Sequence, residues 1–149
     1  MATLERAIEI AARAHAGQVD KAGQPYILHP IHVMLRVKSE EERIAAVLHD
    51  VVEDCEVTME DLQREGFTAA VLEAVDALTK LDGETRIEAA RRAVVNEIAR
   101  VVKLADNAEN MDMRRIPNPG PKDFDRLEQY RQVRSILLGE VSPFSNLDS

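Results

Sequence analysis

The chain has 149 residues, 45% of them apolar, yet it has no tryptophan and only 3% aromatic residues. A single-domain core must then come from Ala, Val, Leu, Ile and Met, which suits packed helices and argues against a β-sandwich. The formal net charge of −8 is the wrong sign for a nucleic-acid partner held by phosphate neutralisation. With no apolar run of about eighteen residues and no basic-then-apolar leader, neither a membrane span nor a signal peptide is expected. Cys55 is the single cysteine; it cannot close an internal disulfide, which fits a reducing cytoplasm.

Thr3 is placed to cap a first helix running to about Ala16, with Leu4, Ile8, Ala11 and Ala12 on one stripe. The run G-Q-V-D-K-A-G-Q at 17–24 reads as a loop. Pro30 suits the first turn of a helix through Ile31, Val33, Met34 and Leu35, and a third helix is expected over 40–52. T-M-E-D at 58–61 has the form of a capping box, opening a short helix that Gly66 ends. Thr68 caps the next, which stops near Thr79 before the L-D-G-E turn. Helical spacing then holds from Thr85 to about Met113, with a break near Asn96, itself a candidate cap. P-N-P-G-P at 117–121 is a firm stop, and a last helix spans about Asp123 to Leu138, closed by Gly139. From about 140 the tail is expected to be loose. The expectation is one all-α domain of roughly seven or eight helices, with no repeat.

The stretch L-H-D-V-V-E-D-C-E at 48–56 crowds His49, Asp50, Glu53 and Asp54 together, with no Lys or Arg between Arg43 and Arg64. On a continuous helix with His49 at zero, Glu53 falls at about 40°, Asp50 at about 100° and Asp54 at about 140°. Ile44, Val47, Leu48, Val51 and Val52 fill the opposite side. Solvated faces usually mix signs in i,i+4 pairs, and like charges at that spacing repel. Ala45 and Ala46 keep the preceding turn low and leave room for another segment. A bound cation would relieve the crowding: His49 and Asp50 would ligate it, and Glu53 and Asp54 would handle a water.

Further ligands must come from elsewhere in the chain. P-Y-I-L-H-P-I-H supplies His29 at a helix start and His32, either a second ligand or a surface residue. His15 reads as structural. In V-V-K-L-A-D-N-A-E-N-M, Asp106 lies at the edge of the stripe of Ile98, Val101, Val102 and Ala105, on the same side as Lys103 and Asn110. Two histidines and two aspartates make a set suited to Mn²⁺, Fe²⁺ or Zn²⁺ with positions left for water and substrate. Cys55 reads as a packing residue, and the pair Arg91-Arg92 as a solvated face.

The segments A-H-A-G-Q-V-D-K-A-G-Q-P-Y-I-L-H-P (14–30), A-A-V-L-H-D-V-V-E-D (45–54), A-L-T-K-L (77–81) and V-K-L-A-D-N-A-E-N-M (102–111) carry a family resemblance. Over about residues 5–138 the chain resembles the hydrolase domain of RelA/SpoT-type (p)ppGpp enzymes, within the HD superfamily of metal-dependent phosphohydrolases. The resemblance implies a compact HD-domain helical bundle, with residues 1–149 forming one stand-alone small alarmone hydrolase domain. It implies Mn²⁺ held by His29, His49, Asp50 and Asp106, with Fe²⁺ or Zn²⁺ as alternatives that the ligand set does not separate. Glu53 and Asp54 would position and deprotonate the attacking water, and the reaction would remove the 3′-pyrophosphate of guanosine 3′,5′-bis(diphosphate)-type alarmones. Lys21 and Asn110 match positions that contact the nucleotide, and Tyr130 is a looser match.

The chain departs from that family at Asp20, where relatives commonly carry Arg, at Asn107 for Arg or Lys, and at Met113 for Thr. An acid at 20 removes a guanidinium that would support the base and adds repulsion toward a polyphosphate. Alternative readings are therefore the same chemistry on (p)ppApp or NADPH, or a nucleotide sensor without turnover. Under all of them the partner is a small nucleotide in the cytoplasm, with no nucleic acid and no membrane, and the oligomeric state is left undefined.

Overall fold

Side-chain caps begin most of the helices in the computed structural model, which describes residues 2–140 (of Arg115, the backbone alone). Thr3, Thr58, Thr68, Thr85 and Asn96 each accept a backbone N–H from three residues on, opening α1 (Leu4–Ala14), α5 (Met59–Glu65), α6 (Ala69–Leu78), α7 (Arg86–Ala93) and α8 (Glu97–Asn110). Gly66, at φ 91°, closes α5 in the left-handed conformation that favours glycine. α2 is Leu28–Leu35, and a Ser39/Glu42 capping box starts α3 (Glu40–Leu48). After a 3₁₀ turn at Met113–Arg115, α9 runs Pro121–Leu137, with Pro121 in its first turn. It begins two residues before the expected Asp123, because proline fits the one place in a helix where its missing N–H costs nothing. The described residues contain no strand, only an isolated bridge between Val19 and Pro25. Residues 141–149, which include nearly all of the expected loose tail, lie outside the described residues.

The expected helix over 40–52 is divided. α3 stops at Leu48, His49 and Asp50 form a turn, and the chain resumes as the four-residue α4 (Val51–Asp54). Both the His49 backbone N–H and its ring Nδ1 bond the Ala46 carbonyl. That i−3 contact tightens the last turn in 3₁₀ fashion and re-aims the residues after it.

α3 is the centre of the molecule. Ala45, Ala46, Val47 and Leu48 are wholly buried and Ile44 nearly so, with α1, α2, α6 and α8 packed around the helix. The two alanines keep its surface low, so four helices can approach closely. A second, smaller core of Ile87, Ala90, Val133, Ile136 and Leu137 joins α7 to α9. The first core carries the histidines and aspartates of interest, and the second carries the wall that faces them.

Candidate active site

Three separate elements deliver the candidate metal ligands to one point. His29 comes from the first turn of α2, beside the buried Pro30. His49 and Asp50 come from the break between α3 and α4, and Asp106 from the buried face of α8. His29 Nε2 lies 2.8 Å from Asp106 Oδ1, and His49 Nε2 lies 3.1 Å from Asp50 Oδ2 and 3.3 Å from Asp106 Oδ1. The ligand atoms of His29, His49 and Asp50 are all within 4.8 Å of one another. A carbonyl can only accept, so His49 Nδ1 donates to Ala46 and its Nε2 is the atom presented to the cluster. Two imidazoles and two carboxylates, with one tautomer locked by the backbone, are a donor set that fits a divalent cation. His32 does not join them; it is exposed, with Nδ1 3.8 Å from Glu109 Oε2.

Charge in this cluster is balanced locally. Burial disfavours a charged His49, but the Asp50 charge and the hydrogen bonds to Asp106 and Asp50 outweigh it and raise the imidazole well above its usual value. Burial likewise works against the Asp50 carboxylate, and the His49 charge wins, holding it low. Asp106 is held well below the usual range against its own burial by the Lys103 charge and by bonds from His29 and His49. Lys103 Nζ is 3.5 Å from Asp106 Oδ2. The sequence alone gives Tyr26 no role, although it sits in the P-Y-I-L-H-P run. Its hydroxyl donates to Asp50 Oδ2 at 2.5 Å, and its ring lies between those of His15 and His29.

The acidic pair stands at the mouth of the same cavity, of about 290 Å³, lined also by Lys80, Arg86 and Asn110. Asp50, Glu53 and Asp54 can bring carboxylate oxygens within 4.8 Å of one another. Glu53 Oε1 accepts the Lys80 backbone N–H at 2.6 Å. Desolvation, with the neighbouring charges of Asp50 and Glu53, pushes the Asp54 carboxyl up to about 6. Burial also pushes the Cys55 thiol up, and the half-buried sulfur lies 3.5 Å from both Gln18 Nε2 and His15 Nδ1, in keeping with a packing residue.

A second cavity, of about 440 Å³, adjoins the first, and Asp20, Tyr26, Arg86, Asn110 and Tyr130 line both. Lys21 faces only this second space, its Nζ 3.7 Å from Asp123 Oδ1. The Arg86 guanidinium sits over the Tyr130 ring at 5.4 Å and donates to Gln129 Oε1 at 2.6 Å. Nothing in the sequence singled out Arg86, because only the packing of α7 on α9 brings it to Tyr130. Asp20 also organises its loop: its Oδ1 accepts the Ala22 and Gln24 N–H groups at 2.9 and 3.0 Å. Asn107 is buried and donates to the Tyr130 carbonyl at 2.9 Å, a tie between α8 and α9, while Met113 lines the second cavity. The expected solvated face at Arg91-Arg92 is corrected for Arg92, whose guanidinium grips Glu84 and the Thr79 carbonyl. The fold turns that side of α7 toward the loop after α6.

Residues 7–146 match the HD domain family. The chain belongs to the HD-domain family. Curated relatives of this HD domain include the guanosine-3′,5′-bis(diphosphate) 3′-pyrophosphohydrolase of Vibrio cholerae, 38% identical over 72% of the chain. Another is the GTP pyrophosphokinase of Streptomyces coelicolor, 38% identical over 90% of it. The bifunctional (p)ppGpp synthase/hydrolase SpoT of Escherichia coli is 37% identical over 72%. The HD domain spans only 17%, 16% and 17% of those proteins' lengths. Among solved structures, a metazoan orthologue of SpoT that hydrolyses ppGpp superposes with a TM-score of 0.75 at 25% identity, covering 93% of this chain and 86% of that one. No described helix is long and apolar enough to cross a membrane.

Proposed function

We propose that this HD domain is an Mn²⁺-dependent hydrolase that removes the 3′-pyrophosphate from guanosine 3′,5′-bis(diphosphate)-type alarmones. One observation carries the reading: the metal-type cluster and the Glu53-Asp54 pair face a cavity that adjoins a second one bearing Lys21, Arg86, Arg126 and Tyr130. That pairing suits a ligand with a polyanionic end and a flat, partly apolar end. The pyrophosphohydrolase names of the relatives support the same substrate, as does the ppGpp hydrolysis of the structural neighbour.

In this reading His29, His49, Asp50 and Asp106 hold the cation, which when bound offsets phosphoryl charge and lowers the pKa of water. Glu53 and Asp54 orient the attacking water and take up its proton. Asp54, with its carboxyl near 6, has a proton affinity matched to work close to neutral pH. Lys80, Lys103 and Arg86 bring positive charge to the same cavity. The water oxygen bonds to the phosphorus attached to the 3′ oxygen, that P–O bond breaks, and the 3′ oxygen is protonated as pyrophosphate leaves. Lys21, Asn110 and Tyr130 contact the nucleotide. A free thiol at Cys55 suits a reducing cytoplasm.

The test strips the protein with chelator, restores Mn²⁺, Fe²⁺ or Zn²⁺ singly, and offers ppGpp, ppApp and NADPH side by side. Expected is Mn²⁺-dependent pyrophosphate release from ppGpp, lost in Glu53→Gln with metal binding retained, and lost together with metal in His49→Ala. Survival of ppGpp alongside cleavage of another nucleotide would sink the guanosine assignment. A full rate in Glu53→Gln would sink the general-base role.

A further inference from the structure

The A-L-T-K-L and L-D-G-E segments meet in a short loop between α6 and α7, and one carboxylate organises it. Glu84 Oε1 accepts the Leu81 N–H at 3.0 Å, and the Glu84 N–H donates back to the Leu81 carbonyl at 3.1 Å. Arg92, reaching back from α7, donates through Nε to Glu84 Oε2 at 2.6 Å and through Nη2 to Glu84 Oε1 at 2.9 Å. The same Nη2 donates to the Thr79 carbonyl at 2.7 Å.

That carbonyl shares a peptide plane with the Lys80 N–H, and in a trans peptide the two point in opposite directions. The Lys80 N–H donates to Glu53 Oε1 at 2.6 Å. A single peptide group is thus gripped at both ends, by a guanidinium at its oxygen and by the Glu53 carboxylate at its hydrogen. A cation at the oxygen draws electron density along the amide and makes its N–H a stronger donor, and linked hydrogen bonds reinforce one another. Thr79 follows the last turn of α6 with extended ψ of 118°; its own N–H and hydroxyl bond back to the Asp76 and Val75 carbonyls, and the two contacts at the Thr79 oxygen and the Lys80 hydrogen hold the 79–80 peptide that follows.

We infer that Arg92 is a positioning residue for the hydrolytic reaction, acting through the Thr79–Lys80 peptide to fix the Glu53 carboxylate at the cavity mouth. The inference rests on the water-activating role of Glu53 proposed above. It gives Arg92 and Glu84 a part in catalysis although neither lines the cavity that holds the cluster. Glu53 keeps its other oxygen for water, with its direction set from outside the cavity.

The experiment uses the full chain, ¹⁵N-labelled and loaded with Zn²⁺ to avoid the paramagnetic broadening of Mn²⁺, and follows the Lys80 amide resonance in wild type, E53Q, R92Q and R92K. In parallel, Mn²⁺ affinity, kcat and KM for ppGpp are measured. The Lys80 amide proton is expected far downfield in the wild type, moved upfield by E53Q and part of that way by R92Q. For R92Q, kcat is expected to fall about tenfold, the scale of losing an outer contact to a working ligand, with KM and Mn²⁺ affinity unchanged. R92K, which keeps a cation at the carbonyl, should recover part of both signals and serves as the test if R92Q fails to fold. On an E53Q background R92Q should leave whatever residual turnover E53Q retains unchanged, because both changes break the same chain of contacts. An unmoved Lys80 amide in R92Q, or an equal loss on the E53Q background, overturns the inference. Full turnover by E53Q alone would instead bring down the general-base reading, a result the amide shift does not mimic.

Discussion

Tyr26 shows how much a single side chain does here. Its hydroxyl bonds one oxygen of Asp50 while its ring is packed between His15 and His29. The ring therefore braces a candidate ligand histidine, and its hydroxyl orients a candidate ligand carboxylate. Outer contacts of this kind are worth about 10–100-fold in metal affinity. Tyr26→Phe should weaken Mn²⁺ binding by about tenfold in titration calorimetry, with an unchanged helical circular dichroism spectrum. Unaltered affinity would reduce Tyr26 to packing. At the same scale, Asp20 has a structural part that its sequence position does not show. An aspartate in a loop beside a lysine suggests repulsion of phosphate, and Asp20 lines both cavities; one of its oxygens also accepts two backbone N–H groups and shapes the turn.

Among elements, caps were the most legible signals. A cap is local, needing a hydroxyl or amide and an N–H three residues away, so Thr3, Thr58, Thr68 and Asn96 could be read directly. Asn96→Ala should destabilise the protein by about 1 kcal/mol, seen as a fall of roughly 2–4 °C in Tm. Mn²⁺ affinity should hold, since Asp106 lies more than two turns further along α8. A large loss of metal binding would mean that the start of α8 sets the position of Asp106. The break at His49-Asp50 was not legible. Periodicity runs through it, and the cause is a ring nitrogen turned onto the Ala46 carbonyl, a contact that a helical wheel does not contain. At the break His49 Nε2 and Asp50 Oδ2 lie 3.1 Å apart.

For the molecule as a whole, two cores divide the labour. The large one around α3 seats the cluster, and the small one between α7 and α9 holds Arg86 and Tyr130 opposite. Acid should loosen this arrangement through carboxylates held below their ordinary value. The Arg92 hydrogen bond lowers Glu84 against its burial, and the Ser39 backbone N–H lowers Glu42 in its capping box. A depressed carboxylate adds stability that is full above its unfolded value, about 4.3 for glutamate. That stability is lost as pH falls through the lower folded value. Thermal melts should therefore show Tm falling steadily below about pH 4.3, with a shallower fall in Glu84→Gln. The same slope in that variant would show that Arg92 and Glu84 are not coupled to folding.

The all-helical class, several of the caps and the candidacy of the six acidic and histidine residues were legible in the sequence alone, because each depends on residue type and local spacing. Tertiary structure alone decided which of them meet. His29, His49 and Asp106 are 20 and 57 residues apart in order along the chain, and α2, α3 and α8 bring them within hydrogen-bonding distance only by packing on one alanine-lined core. It also decided the roles of Tyr26, Arg86 and Arg92. Each acts through a partner on another element, and the direction of a long side chain across an interface is set by what that interface excludes, not by its neighbours in sequence.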